Sequence, residues 1–195
     1  SLFSPHDVPG LYDAFGTDDF DTLYRMHELN DAVPRKTIGA QELFLDILKE
    51  RAETGRLYLM NIDHCNSHSS FKDKVYMSNL CQEITLPTKP LEHIDDPNGE
   101  IALCILSAVN VGKVSKKEEL EEICDLAVRG LEELVDYQEY PVAAAELSTK
   151  NRRSLGIGYI GLAHYLAKQG EHYDDPKAWK LVHDLSESFQ YYLLK

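Results

Sequence analysis

The sequence predicts an α/β fold, and three observations lead to this prediction. Residues 101–112, "IALCILSAVNVG", form a continuous apolar run, which is typical of a strand covered on both faces. Residues 39–53 instead repeat apolar side chains at helical spacing. Along the chain the predicted elements run helix, strand, loop, strand, strand and then three helices. This order favours buried strands packed against helices.

The first half of the chain is predicted to hold one clear helix and two strands, after a turn-rich and weakly helical start. The helix over residues 39–53 places five side chains on one face: Leu43, Phe44, Ile47, Leu48 and Arg51. Gly55 follows as the expected C-terminal cap. Residues 56–62 then predict a buried strand, and residues 78–84 predict a short strand that prolines end.

The second half is predicted to be mostly helical after the apolar run. Ser115 and Glu118 match the S-x-x-E capping box that opens a helix. The helix carries an apolar stripe: Leu120, Ile123, Cys124, Ala127, Leu131, Leu134 and Val135. Residues 151–168 and 176–195 predict two more helices.

Composition excludes some functional classes. The 195 residues are 43% hydrophobic and 27% charged, as in an ordinary globular domain or part of one. The formal net charge of −13 argues against a nucleic-acid binder, which needs clustered Lys and Arg. The sequence shows no bilayer-spanning run and no signal-peptide pattern, so we expect no membrane partner. Four cysteines without C-x-x-C spacing favour a cytoplasmic protein.

Two motifs suggest ligands only weakly. His64 and His68 flank Cys65 at helical spacing and could ligate zinc. The surrounding residues are poor helix formers, and no further pair completes four ligands, so a polar loop is the preferred interpretation. Residues 156–161, "GIGYIG", match the G-x-G-x-x-G pattern of dinucleotide sites. No strand is predicted before them, so we interpret the segment as part of a helix whose glycines let another helix or strand approach closely.

Two cysteines lie in apolar surroundings. Cys124 falls on the helical stripe, where a thiol behaves as a small hydrophobe. Cys104 lies within the apolar run, where a buried inert thiol is the ordinary interpretation and a redox role is the alternative.

The segment "SNLCQEI", residues 78–84, raises the main functional question. In a strand, Asn79, Cys81 and Glu83 would share a face at a spacing of about 6–7 Å. A core face is disfavoured, because burying an amide and a carboxylate costs several kcal/mol unless each finds a partner. A functional site and the polar face of an edge strand both remain possible on these grounds, although cysteine is rare on surfaces.

The chemistry of these three side chains is specific. A carboxylate can take a proton from a hydroxyl, and an amide can orient a second hydroxyl. No basic residue lies near Cys81 in sequence to stabilise a thiolate, and the Glu83 carboxylate disfavours one. A neutral thiol that gives up and takes back a hydrogen atom therefore fits better than a papain-like nucleophile.

Several stretches match one family when taken together. They are "SNLCQEI" followed by "LPTKP", "GEIALC", "SLFSPHDVPGLYDAF", "RRSLGIG" and "QYYLLK". They resemble the large, catalytic subunit of class I ribonucleotide reductase, essentially from end to end. The resemblance implies part of a ten-stranded α/β barrel of two half-barrels, with Cys81 at the tip of an inserted loop and a helix-rich C-terminal part. Residues 1–195 would be a partial catalytic barrel domain, without the N-terminal effector region and the C-terminal half of the barrel.

The resemblance also implies a role for each candidate residue. Cys81 matches the radical cysteine, whose thiyl radical abstracts the 3′-hydrogen of the ribose. Glu83 matches the base that takes the 3′-hydroxyl proton, and Asn79 matches the amide that holds a ribose hydroxyl. Cys104 matches one of two cysteines that reduce the 2′-carbon and end as a disulfide, and its partner would lie before residue 1.

The substrate and partners follow from the same resemblance. The substrate would be a ribonucleoside diphosphate, converted to a deoxyribonucleotide for DNA synthesis. The partners would be the remainder of the large subunit, a small radical-generating subunit, and thioredoxin or glutaredoxin as reductant. The metal and tyrosyl radical centre belongs to the small subunit, so we expect no metal or other cofactor to bind this chain directly. Nucleotide effectors of this allosteric enzyme would bind regions outside the chain.

Two rival interpretations remain. The chain could be an isolated, non-catalytic fragment that keeps the motif, or part of another thiyl- or glycyl-radical enzyme with the same barrel. The second cysteine, Cys104, argues against the latter because a reducing thiol suits ribose deoxygenation. We expect the chain alone to be inactive, because the phosphate-binding loop, the tyrosine relay and the C-terminal cysteines of the family would follow residue 195.

Overall fold

The computed structural model describes residues 1–195, apart from the side chain of Lys117. The chain divides into two compact units, Ser1–Thr88 and Lys89–Lys195. Helices and strands are both present, and the two strands are parallel, so the predicted α/β class is confirmed. Among the described residues, no helix is both long and apolar enough to cross a membrane.

The first unit contains three helices: α1 (Asp19–Leu29), α2 (Ala40–Thr54) and α3 (Ile62–Ser67). The predicted helix over residues 39–53 is confirmed as α2. Gly55 ends it in the left-handed region, with φ of 65°, and donates its N–H to the Arg51 carbonyl. The unit has a small core: Val8, Leu11, Ala14, Ile62 and Val75 are all buried.

The predicted strand over residues 56–62 is wrong. Residues 56–61 form no regular element, and Ile62 begins α3. The side chains of Tyr58 and Leu59 are 47% and 55% exposed. Their apolar character therefore does not produce a buried strand within this chain.

The second unit contains the sheet: β1 (Ile105–Asn110), α4 (Lys117–Tyr137), α5 (Ala143–Arg152), β2 (Leu155–Ile160), α6 (Leu162–Lys168) and α7 (Pro176–Leu194). Strands β1 and β2 pair in parallel, in a register that runs from Ile105↔Leu155 to Asn110↔Ile160. A parallel pair needs a crossover connection, and α4 and α5 supply it. One core cluster of this unit contains five buried residues: Val109, Val111, Leu120, Cys124 and Phe189.

The apolar run is confirmed as a strand only over β1, and Leu106 on that strand is 58% exposed. The predicted helix over residues 151–168 is wrong, because α5 ends at Arg152 and β2 and α6 occupy the rest. The predicted helix over residues 176–195 is confirmed as α7.

The capping box at the start of α4 is also wrong in detail. The helix begins at Lys117, and the Ser115 N–H donates to Glu119 Oε2 at 3.0 Å rather than to Glu118.

The glycines of "GIGYIG" lie on β2 and the turn after it, so the expected helix is wrong, but Gly156 and Gly161 are positions of close approach, as expected. Gly161 has φ of 78°, and a Cβ on it would lie 2.4 Å from Asn110 Oδ1 and 3.2 Å from the Gly112 nitrogen. Gly161 thus lets the turn between β2 and α6 lie against the end of β1.

Candidate active site

Residues 79–84 form a tight loop, the Cys81 loop, that is closed at its base by Asn79 and Ile84. The Asn79 N–H donates to the Ile84 carbonyl at 3.2 Å, and the Ile84 N–H donates to Asn79 Oδ1 at 3.0 Å. A third bond runs from the Gln82 N–H to the Asn79 carbonyl at 3.1 Å. Asn79 therefore uses its main chain and its side-chain oxygen to define the loop.

The predicted strand over residues 78–84 is wrong. Leu80 and Cys81 form a turn, and Gln82 has φ of 61°, in the left-handed region. The chain doubles back, so alternate residues do not simply share a face. A loop at this position agrees with the architecture that the family resemblance implies.

The tip of the Cys81 loop is open to solvent. Cys81 and Glu83 are exposed, Leu80 is 88% exposed, and Asn79 is half-buried. Within the described part of the chain, Asn79 Nδ2 has no hydrogen-bond acceptor, because only its Oδ1 is engaged. An amide donor, a thiol and a carboxylate are thus all available to a ligand from one six-residue loop.

The segment that enters the loop is anchored by Asn66, which sequence reasoning missed. Asn66 Nδ2 donates to the carbonyls of Ile62 and Val75, both at 2.9 Å, and the Val75 N–H donates to Asn66 Oδ1 at 2.8 Å. Val75 itself is fully buried. The backbone is therefore fixed four residues before Asn79. The only sequence signal was an amide on the polar segment after residue 62.

Cys104 lies in the second unit, directly before β1 rather than in the middle of a strand. It is half-buried, so the default interpretation of a buried thiol is not met. The nearby Ile101 N–H donates to the Ala144 carbonyl on α5 at 3.1 Å. The thiol is thus attached to a backbone segment that is tied to α5 on one side and continues into β1 on the other.

The comparison with known proteins decides the family. Residues 1–195 match the family described as "Ribonucleotide reductase, barrel domain". The chain belongs to this family. The resemblance of its motifs to ribonucleotide reductase is thereby confirmed. The two paired strands are part of a barrel that this chain does not close.

Similar proteins include ribonucleotide reductase subunits of bacteria and of a phage. The "Ribonucleoside-diphosphate reductase subunit alpha" of Haemophilus influenzae is 56% identical over 200 residues, and the "Ribonucleoside-diphosphate reductase 1 subunit alpha" of Escherichia coli is 53% identical over 200 residues. The subunit alpha of Enterobacteria phage T4 is 38% identical over 203 residues. Each match covers 100% of this chain but 26% of the relative, so the chain spans about a quarter of their length.

The other cysteines and histidines that the sequence of this ribonucleotide reductase segment offered lie outside the Cys81 loop. Cys124 is fully buried, and desolvation raises the pKa of its thiol, which confirms its interpretation as a core residue.

His64 and Cys65 lie on α3, with His68 directly after it. Among the described residues, the group close enough to share a metal ion is a different, mostly exposed one on α7: His183, Asp184 and Glu187. Lys180 already pairs with Asp184 at 3.1 Å.

Proposed function

We propose that the chain is the part of a ribonucleoside-diphosphate reductase large subunit that carries the radical cysteine. The subunit would reduce ribonucleoside diphosphates to 2′-deoxyribonucleotides for DNA synthesis. One observation carries this proposal: the whole chain is 48–56% identical to several bacterial proteins named as alpha subunits of this reductase. Because the chain spans about a quarter of their length, the activity belongs to the longer subunit.

The Cys81 loop performs the first steps in this proposal. Cys81, as a thiyl radical, takes the hydrogen atom from C3′ and becomes a thiol. Glu83 accepts the 3′-hydroxyl proton, which assists departure of the 2′-hydroxyl as water. Asn79 donates from Nδ2 to a ribose hydroxyl while its Oδ1 keeps the loop closed. The exposure of Cys81 and Glu83 at the loop tip supports these roles.

Cys104 performs the reduction in this proposal. Cys104 and a second cysteine outside the chain supply two electrons and two protons in total as their S–H bonds break. Their sulfurs form a disulfide, and the 2′-hydroxyl is replaced by hydrogen with loss of water. Cys81 then returns a hydrogen atom to C3′ and becomes a thiyl radical again, and Glu83 returns the proton to the 3′-oxygen. The half-buried position of Cys104, in contrast to the buried Cys124, supports this assignment.

The proposal also names partners. The radical originates at the metal centre of a separate small subunit, so we assign no metal ligand to this chain. A thioredoxin- or glutaredoxin-type dithiol reduces the disulfide, and nucleotide effectors act through other regions of the subunit. A cytoplasmic setting suits this chemistry, because the described cysteines are thiols rather than disulfides.

A reductase assay of the full-length subunit tests the proposal. The subunit is supplied with the small subunit and a dithiol reductant, and deoxynucleotide formation is measured. We expect Cys81→Ser to reduce turnover by about a thousandfold or more, because a hydroxyl does not replace the radical thiol. Cys104→Ser should eliminate sustained turnover while leaving hydrogen abstraction at C3′.

Cys65→Ser is the matched control, because Cys65 is a half-buried cysteine on α3 with no assigned role. It should keep activity near that of the wild type. Full activity of Cys81→Ser would refute the radical assignment, and an inactive wild-type holoenzyme would refute the proposed function itself.

A further inference from the structure

A buried carboxylate lies four residues before Cys104. Glu100 is 8% exposed, and two cations hold its two oxygens. Lys89 Nζ lies 2.5 Å from Oε1, and Arg152 donates to Oε2 from Nη2 at 2.6 Å and from Nε at 3.2 Å. Desolvation acts to raise the pKa of this carboxyl, but the hydrogen bonds from Lys89 and Arg152 outweigh it, so the pKa lies below its ordinary value.

The main chain on both sides of Glu100 is fixed as well. Glu100 and Lys89 exchange two backbone hydrogen bonds, of 3.0 and 3.1 Å, as an isolated antiparallel bridge. The next residue, Ile101, donates to the Ala144 carbonyl. Three residues then separate Ile101 from β1, and Cys104 is the last of them. The path from Glu100 to the thiol is therefore short and starts from a constrained point.

Arg152 connects this point to the second strand. It is the last residue of α5, and Leu155, which starts β2, is the register partner of Ile105. The ion pair between Arg152 and Glu100 thus joins the two backbone segments directly before they pair as β1 and β2. The ion pair therefore lies shortly before Ile105↔Leu155, the first residue pair of the sheet.

The neighbouring arginine has a different partner. Arg153 has φ of 48° and donates to Glu132 and Asp136 on α4. Two consecutive arginines therefore connect one turn to two different parts of the second unit. This division separates the attachment to the Cys104 segment from the attachment to α4.

We propose that Arg152, acting through Glu100, is a positioning residue that holds the Cys104 thiol in the place required for reduction of the 2′-carbon. The role rests on the proposed function, since it assigns Cys104 to that step. Arg152 suits it because a planar guanidinium approaching through two nitrogens restricts orientation more than a single ammonium does. Lys89 forms an ion pair with the other carboxylate oxygen of Glu100.

A misplaced Cys104 changes the distribution of products rather than only their amount. Hydrogen abstraction by Cys81 does not use Cys104, so it proceeds. If the C2′ radical left after loss of water takes its hydrogen atom from the Cys81 thiol instead of from the dithiol, a C3′ ketone forms and the thiyl radical is regenerated. This ketone loses its base by elimination, in which a C2′ proton leaves and the C1′–N bond breaks. The ratio of free base to deoxynucleotide therefore reports on the position of Cys104. A simple loss of folded protein lowers both products and leaves the ratio unchanged.

The experiment compares four variants of the full-length subunit in the holoenzyme: Arg152→Ala, Arg152→Lys, Glu100→Gln and Arg153→Ala. Free base and deoxynucleotide are measured in the same reaction. We expect the ratio of base to deoxynucleotide to rise about tenfold in Arg152→Ala and in Glu100→Gln. Arg152→Lys should recover part of the wild-type ratio, because it keeps the charge but loses the paired contact. Arg153→Ala should keep the wild-type ratio even where it lowers the melting temperature.

Labelling of Cys104 with maleimide, followed by peptide mass spectrometry, gives a second measurement that does not depend on activity. The rate at which maleimide labels Cys104 should change in Arg152→Ala and Glu100→Gln but not in Arg153→Ala. Wild-type ratios and labelling rates in folded Glu100→Gln and Arg152→Ala would overturn the inference, as would equal changes in Arg153→Ala. If the wild-type holoenzyme makes no deoxynucleotide, the proposed function fails. Unchanged labelling in the Arg152 and Glu100 variants would then also reject the positioning role.

Discussion

Asn79 and Ile84 close the Cys81 loop through a pair of hydrogen bonds, one of which uses the Asn79 side chain. The Ile84 N–H donates to Asn79 Oδ1 at 3.0 Å, whereas Asn79 Nδ2 donates no hydrogen bond to any described residue. One amide can thus serve two purposes: its oxygen shapes the loop, and in the proposed function its nitrogen donates to a ribose hydroxyl. Substitutions can separate these purposes because they affect the two ends of the amide differently.

Asn79→Ala should open the loop, whereas Asn79→Asp should keep it closed. The alanine variant loses the acceptor for the Ile84 N–H, a hydrogen bond worth about 1 kcal/mol, so amide exchange at Ile84 should accelerate about fivefold. A carboxylate keeps an acceptor there but removes the Nδ2 donor. Hydrogen–deuterium exchange of the peptide that contains Ile84, without substrate, provides the measurement.

The same two variants should differ in kinetics. Asn79→Asp should raise KM or lower kcat in the full-length enzyme without faster exchange at Ile84. Met77→Ala is the control, because Met77 is 58% exposed and precedes the loop. Equal exchange rates in wild type and Asn79→Ala would show that the side chain does not maintain the loop.

Gln82 should tolerate glycine much better than a β-branched residue. Its φ of 61° lies in the left-handed region, which costs an L-residue about 1–2 kcal/mol and costs glycine almost nothing. Gln82→Gly should therefore be more stable than Gln82→Val by about 1 kcal/mol or more, even though glycine has greater freedom in the unfolded chain. Urea unfolding of both variants measures the difference. A valine variant as stable as the glycine variant would mean that the loop adopts another backbone conformation.

Local patterns predicted three helices and one strand of this chain well. The helices α2, α4 and α7 follow from apolar side chains at helical spacing, and β1 follows from an apolar run. The family could also be predicted, since its motifs run through the whole chain. For each of these helices and for β1, by contrast, the deciding signal lies within one segment.

The elements that could not be predicted depend on contacts outside their own local pattern. Strand β2 contains two glycines within "LGIGYI", a weak strand pattern, and exists because Leu155 pairs with Ile105 fifty residues earlier. The Cys81 loop shows strand-like alternation, but the Asn79 side chain accepts the Ile84 N–H that a neighbouring strand would otherwise use. Glu100 likewise acquires its role only when folding brings Arg152 to it.

The four cysteines should react with alkylating reagents in an order set by burial. Cys81 is exposed and should react first, the half-buried Cys65 and Cys104 should follow, and Cys124 should react last. Desolvation raises the pKa of the Cys124 thiol, so even at mildly alkaline pH less of the reactive thiolate is present. Time-resolved iodoacetamide labelling of the native protein with peptide mass spectrometry measures the order. Rapid labelling of Cys124 would contradict its place in the core.

Substitution of Cys124 tests the same core. Cys124→Ser should destabilise the protein by about 1–3 kcal/mol, because its hydroxyl would be buried beside Val109 and Leu120 in an apolar cluster. Cys124→Ala, which adds no polar group, should cost less. Thermal unfolding of the two variants gives the comparison, and a serine variant as stable as the alanine variant would indicate that the hydroxyl finds a partner.

Glu100 should make the stability of the protein depend on pH in the acid range. Its pKa in the folded protein lies below the ordinary value of 4.5, so near and below that pH the unfolded chain binds more protons than the folded one. The stabilisation is therefore fully present above about pH 4.5 and is lost as the pH falls through the folded pKa. Glu100→Gln lacks this titration. The free energy of unfolding of wild type should exceed that of Glu100→Gln by about 2 kcal/mol near neutral pH, and the difference should shrink in acid.

The pH series needs a control that removes a carboxylate without affecting a buried site. Glu146→Gln serves, because Glu146 pairs with Lys150 on the exposed side of α5, where ion pairs contribute little. Its unfolding free energy should stay close to that of wild type throughout. The lowered pKa values of Asp96 and Asp136 apply to all three proteins and cancel in the differences. A wild-type advantage over Glu100→Gln that is constant from neutral pH to well below 4.5 would show that the charge of Glu100 is not what its two cations stabilise.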